Sequence, residues 1–114
     1  MSHMDPLGFT YMKVLSTDDP ADVGSVLAYR LGTDRHLQAV IWNATRRIWM
    51  YAPAIAGQFV YDPELLDLAT EVDRALAEQI ARETLNSELP SEATLEAMCE
   101  EGERMGWLVG PPPE

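Results

Sequence analysis

The 114-residue chain reads as an α+β domain from two features. Runs of β-branched and aromatic residues are confined to its first half, and helix-spaced apolar residues on an acidic background fill its second. The expected architecture is an antiparallel meander of about four strands covered on one face by two acidic amphipathic helices. The length suits a single domain able to bury a core without staples. A hydrophobic fraction of 46% with three tryptophans is that of a chain that folds. The domain is expected over residues 5–110. "MSHM" at residues 1–4 reads as a cloning remnant, and residues 111–114 as a frayed tail.

Phe9 to Leu15, "FTYMKVL", is strand-like and bounded by Gly8 and by Asp18-Asp19-Pro20. "PADVGSVLAYRLG" is ambiguous. Pro20 behind Asp19 suits a helix start, but Gly24 interrupts it, so a turn and then a strand over Ser25–Leu31 is the better reading. "GTDRH" turns the chain into a third strand, Leu37–Trp42.

Asn43 to Arg46 then separates two strand-forming runs at hairpin spacing. The simplest register sets Trp42 opposite Arg47. Leu37, Ala39, Ile41, Ile48, Met50 and Ala52 then share one face, and Gln38, Val40, Trp42, Arg47, Trp49 and Tyr51 the other. The first face is wholly apolar and the second is aromatic with polar edges.

Pro53 closes the hairpin, and "AIAGQFVY" suits a helical turn or a short last strand. "DPELLDLATEVDRALAEQIARETLN" opens with an aspartate cap and a proline at the first helical position. Leu65, Leu68, Ala69, Val72, Leu76 and Ile80 recur every three or four residues, which predicts a helix from about Pro63 to Leu85. A second helix starts after Pro90 with Ser91 as cap and ends at Gly106. Its apolar face is Leu95, Met98, Gly102 and Met105. Trp107-Leu108-Val109 is expected to pack back on the body.

Charge divides with the fold. Residues 1–57 carry five basic and five acidic side chains, whereas residues 58–114 carry three basic against fourteen acidic, the whole net charge of −11. Such a field repels nucleic acid and anionic membranes and attracts cationic partners. Seven arginines against one lysine, with abundant alanine, is a composition typical of a high-GC bacterial genome.

No catalytic set emerges. Asp34, Arg35 and His36 are neighbours on one turn, and no serine or cysteine sits in a nucleophile motif. Cys99 lies beside Glu100 and Glu101, which disfavour a thiolate. Metal-ligand spacings, phosphate loops and cofactor motifs are absent, so neither metal nor cofactor is expected. The sequence shows no signal peptide and no apolar run of membrane-spanning length, so a cytoplasmic location with no membrane attachment is expected.

The sharpest candidate is the aromatic hairpin face. Trp42, Arg47, Trp49 and Tyr51, with Arg30 on the preceding strand, are hot-spot residue types. If the helices pack on the Ile41/Ile48 face, this second face is bare and serves a homodimer or a protein partner. If they pack on the aromatic face, these residues are core. The functional expectation is a non-enzymatic interaction or regulatory protein, for instance an immunity or inhibitor protein that blocks a basic partner. The alternatives are a small-molecule binder or small enzyme with a pocket near Arg35 and His36, and an accessory subunit docking through the aromatic face. Nucleic acid is disfavoured by the charge.

Overall fold

A computed structural model describes residues 8–15, 23–31, 36–62, 64 and 66–111. The expected remnant at residues 1–4, the Pro20 segment, Arg35, the Pro63 helix start and residues 112–114 lie outside these.

Among the described residues, five antiparallel strands form one sheet: β1 (Thr10–Leu15), β2 (Val23–Leu31), β3 (Leu37–Asn43), β4 (Ile48–Tyr51) and β5 (Ala69–Val72), in the order β4-β3-β2-β1-β5. The first four form the expected meander. Among the described residues three α-helices accompany the sheet: α1 (Pro53–Tyr61), α2 (Arg74–Glu83) and α3 (Glu92–Met105). No helix among the described residues is long and apolar enough to cross a membrane.

The β3–β4 hairpin differs from the expected register by two residues: Trp42 faces Trp49 and Asn43 faces Ile48. Asn43 is the reason. Its side-chain oxygen accepts from the Arg46 amide at 2.9 Å and its carbonyl accepts from the Arg47 amide at 2.7 Å, so the turn closes one residue later. Arg47 completes the turn in the left-handed region (φ 57°), outside the strand. A shift of two keeps every hairpin side chain except that of Arg47, now in the turn, on its expected face.

The region expected as one long helix from Pro63 to Leu85 is instead a 3₁₀ turn (Leu66–Leu68), strand β5 and helix α2. Two physical causes divide it. Asp62, the residue before Pro63, is extended (ψ 115°) and ends α1, as a pre-proline residue favours. Asp73 then caps a fresh helix by accepting from the Leu76 amide at 2.8 Å. Between them, Ala69–Val72 pairs with β1 and satisfies backbone groups that a bare edge would leave open. The three-and-four spacing was real, but pairing with β1 outweighs it.

Both faces of the sheet are covered. Helices α2 and α3 pack on the face of Tyr11, Val26, Ala28, Val40, Trp42 and Tyr51, contributing Ala77, Ile80, Ala81, Leu95 and Cys99. Helix α1, begun by Pro53 at a first-turn position, lies on the opposite face over Leu27, Ala39, Ile41 and Met50 through Ala56. Ser91 and Gly106 cap α3 as expected. Its buried stripe is Leu95, Cys99 and Gly102, while Met98 is half-buried and Met105 exposed.

Gly102 is the tightest point between helix and sheet. A methyl group there would lie 2.1 Å from Tyr51 Cδ2 and 2.8 Å from its Cβ. Gly102→Ala should lose about 1–3 kcal/mol by overpacking, even after the gain of about 1 kcal/mol in helix propensity. Urea unfolding of the two proteins checks this: a lowered midpoint at unchanged slope is expected.

Candidate functional site

The residues expected to form an exposed aromatic surface lie beneath α2 and α3. Trp42 is 6% exposed and Tyr51 3%. Trp49 is half-buried, packs against Trp42 with ring centroids 5.3 Å apart, and donates its indole N–H to Ser87 Oγ at 3.1 Å. Arg30 is half-buried: its guanidinium lies 4.8 Å over the Phe9 ring and 3.4 Å from Glu96. Arg47 alone stands exposed, in the turn. The structure therefore corrects the bare-face expectation. Helices α2 and α3 bury Ala77, Ile80, Ala81, Leu95 and Cys99 against the aromatic face.

A different concave surface forms where the start of β3, the end of β4, the first turn of α1 and the end of α3 converge. It is a largely open hollow of about 540 Å³, and its walls are Leu37, Tyr51, Pro53, Ala54, Trp107 and Leu108, with His36 and Glu103 supplying polar groups. Gly106 makes this shape possible. In the left-handed region (φ 74°) it stops α3 and lets the Trp107 amide reach the Gly102 carbonyl at 2.9 Å. The chain then folds back, and the Leu108 carbonyl accepts from the Ala54 amide at 3.0 Å, one of the first-turn donors that α1 leaves unpaired. The C-terminal segment is held further by Arg46, whose guanidinium donates to the Pro111 carbonyl at 2.6 Å.

Polar groups reach the cleft through a chain of contacts laid across the sheet. Glu96 pairs with Arg30, and Arg30 Nε donates to Gln38 Oε1 at 2.7 Å. Gln38 Nε2 donates to Glu103 Oε2 at 2.9 Å, and the same oxygen meets His36 Nε2. Gln38 is buried and Glu103 about one-third exposed, so the carboxylate is held by Gln38 from below and by His36 at the rim. His36 was expected near a pocket between sheet and helices, and it lies at this one. Glu103, Pro53, Ala54 and the Trp107-Leu108 pair were not expected there. The available signal was Gly106, a helix stop directly followed by two large apolar residues.

Burial shifts two groups at and beside the cleft. It pushes the Cys99 thiol up from 9.0 to about 12; Arg30 opposes this, while Glu103, Glu96 and Glu100 add to it. The Tyr51 hydroxyl is pushed up from 10.0 to about 12, again by burial first and then by the charges of Glu103 and Cys99. Both groups are protonated at neutral pH. No group of three metal-ligating side chains occurs among the described residues.

No protein-family model matches the chain. Neither a curated protein nor a solved structure matches it.

These titrations set a stability limit in alkali. The unfolded chain would ionise Cys99 near 9.0 and Tyr51 near 10.0, whereas the folded chain resists until about 12. Tyr11 behaves as Tyr51 does: burial is the leading cause, with Glu92 raising it and Arg74 opposing, and its hydroxyl also reaches about 12. Stability from these groups is complete below the unfolded values and falls as pH rises toward 12. Melting temperature followed from pH 8 to pH 12 should drop beyond about pH 9, and less steeply in Tyr51→Phe. A thiol-reactive chromogen at pH 8 should label Cys99 only after unfolding.

Proposed function

We propose that the protein is a non-enzymatic binding module whose cleft at Leu37, Trp107 and Glu103 receives an apolar group carrying an adjacent positive charge, presented by a basic protein partner. The observation that carries this reading is the pairing of an apolar-walled cleft of about 540 Å³ with a part-exposed carboxylate at its rim, one oxygen of which is held by Gln38 and His36. Ligand sites commonly combine apolar walls with a few convergent polar groups. An aromatic wall such as Trp107 suits a cationic group as well. A net charge of −11 draws positive ligands toward the molecule and raises their association rate.

The alternative of a small-molecule binder near His36 is favoured by one observation, the volume of the cleft, which suits a ligand of drug-like size. Both readings share one chemistry, an apolar group beside a cation. They differ in whether that group is free or belongs to a chain.

Titration calorimetry with phenethylammonium, with 3-phenylpropionate and with a lysine-rich peptide bearing one phenylalanine separates them. The peptide should bind well above the free amine, and the carboxylate should not bind. Equal affinity for amine and peptide supports the small-molecule reading, and binding of neither overturns both. Glu103→Gln should weaken the cation about five- to tenfold, the difference between a charge-assisted and a neutral hydrogen bond. Leu108→Arg should abolish binding while leaving the fold intact, because Leu108 is 63% exposed.

A further inference from the structure

Tyr51 carries a polar group that the fold itself does not use. The residue is 3% exposed, yet among the described residues no group hydrogen-bonds to its hydroxyl. A buried hydroxyl ordinarily finds a partner. Tyr11, equally buried at 3%, does so: it donates to Glu92 and accepts from Arg74. Trp49, on the same strand as Tyr51, likewise donates to Ser87.

The Tyr51 hydroxyl is not sealed in. Every fully enclosed side-chain polar atom among the described residues has a partner, so a hydroxyl without one reaches a surface. Tyr51 lines the cleft of about 540 Å³ and a smaller hollow of about 160 Å³ beside Met98 and Glu101. Glu103, which lines the cleft, is the carboxylate whose charge acts on its hydroxyl. The hydroxyl therefore opens at the floor of the cleft, below the rim where Glu103 stands about one-third exposed. Gly102 makes room for this, because the Tyr51 ring passes where a side chain there would lie. Glu103 is itself only half used. Gln38 and His36 both meet its Oε2, and among the described residues no group hydrogen-bonds to Oε1.

We propose that Tyr51 is a specificity-determining residue of the cleft. Its hydroxyl and Glu103 Oε1 together select a cation bearing several N–H donors, a primary ammonium, over a fully alkylated one. This selection rests on the cleft reading above and names the class of cation that the cleft takes. The Trp107 wall does not discriminate, since an aromatic face attracts protonated and alkylated ammonium groups alike. The two oxygens do. The charge of Glu103 turns the Tyr51 O–H dipole toward itself and leaves the oxygen's lone pairs for an incoming N–H. A primary ammonium has three donors, enough for both oxygens and one water. A trimethylammonium group of equal charge has none. It displaces water from the Tyr51 hydroxyl and offers no hydrogen bond in return.

Titration calorimetry on the full chain, with phenethylammonium and its N-trimethylated analogue, tests this in the native protein and in Tyr51→Phe. The native protein should bind the primary amine about tenfold more tightly than the trimethylated one. Tyr51→Phe should weaken the primary amine by about tenfold and leave the trimethylated one unchanged, so that the two affinities converge. Its melting temperature at pH 7 should be no lower than that of the native protein, because the deleted hydroxyl has no partner in the fold. A variant that loses both ligands equally, or that holds the primary amine as tightly as before, overturns the selection and leaves the cleft reading standing. So does a native protein that prefers the trimethylated ligand. A variant that melts several degrees lower shows a hydroxyl engaged within the fold, and it overturns the selection as well. If the native chain binds neither ligand, the cleft reading falls and the selection falls with it.

Discussion

Helix α3 can cross the sheet closely only because Gly102 presents no side chain to Tyr51, and much of the molecule depends on that contact. It brings Leu95 and Cys99 fully into the core above the strands. It also brings one edge of the helix over three strands in succession. Glu92 accepts from the Tyr11 hydroxyl of β1 at 3.0 Å, Glu96 pairs with Arg30 of β2, and Glu103 accepts from Gln38 of β3. Spacings of four and seven keep these three carboxylates on one side of the helix. Three of the acidic residues that make the second half so negative thus tie the helix to the sheet.

The Tyr11 rung is reinforced from α2. Arg74 donates to the Tyr11 hydroxyl at 2.6 Å and to the Pro90 carbonyl at 2.9 Å, and its Nε meets Glu78 at 3.0 Å. One guanidinium therefore connects β1, α2 and the segment leading into α3. Every buried side-chain polar atom among the described residues has a hydrogen-bond partner, as a packed polar network requires. The cleft lies at the far end of this network, where the last glutamate of the stripe is no longer covered.

The two sides of the sheet follow different physical rules. On the α2/α3 side, aromatic area and satisfied ion pairs make a closed layer. On the α1 side, one short uncharged helix among the described residues lies over an apolar core rimmed by half-buried residues such as Met12, Tyr29 and Phe59. Hot-spot residue types concentrated in the hairpin pointed to an interface on the first side. The packing puts them in the core and leaves the plainer residues Leu31 and Tyr61 outside. Residue type alone does not separate the two outcomes, because tryptophan and tyrosine serve cores and interfaces by the same burial of area.

Much of the local structure was legible in the chain. Four strands, the faces of the hairpin side chains other than Arg47, and both ends of α3 follow from alternation, Ser91 and Gly106, because period and capping are local properties. Local pattern could not divide residues 63–85, since a three-and-four apolar spacing also fits a turn, an edge strand and a shorter helix. That division depends on the bare edge of β1, more than fifty residues away in sequence. Neither could local pattern choose the covered face. The choice depends on how the apolar stripes of α2 and α3 match two candidate surfaces, and on Gly102 meeting Tyr51. The sequence by itself determined the first four strands and their faces, helix α3 and the charge that divides the two halves. Only the tertiary structure decided which face was buried and where Glu103, His36 and Trp107 would meet, because those outcomes depend on contacts between distant segments.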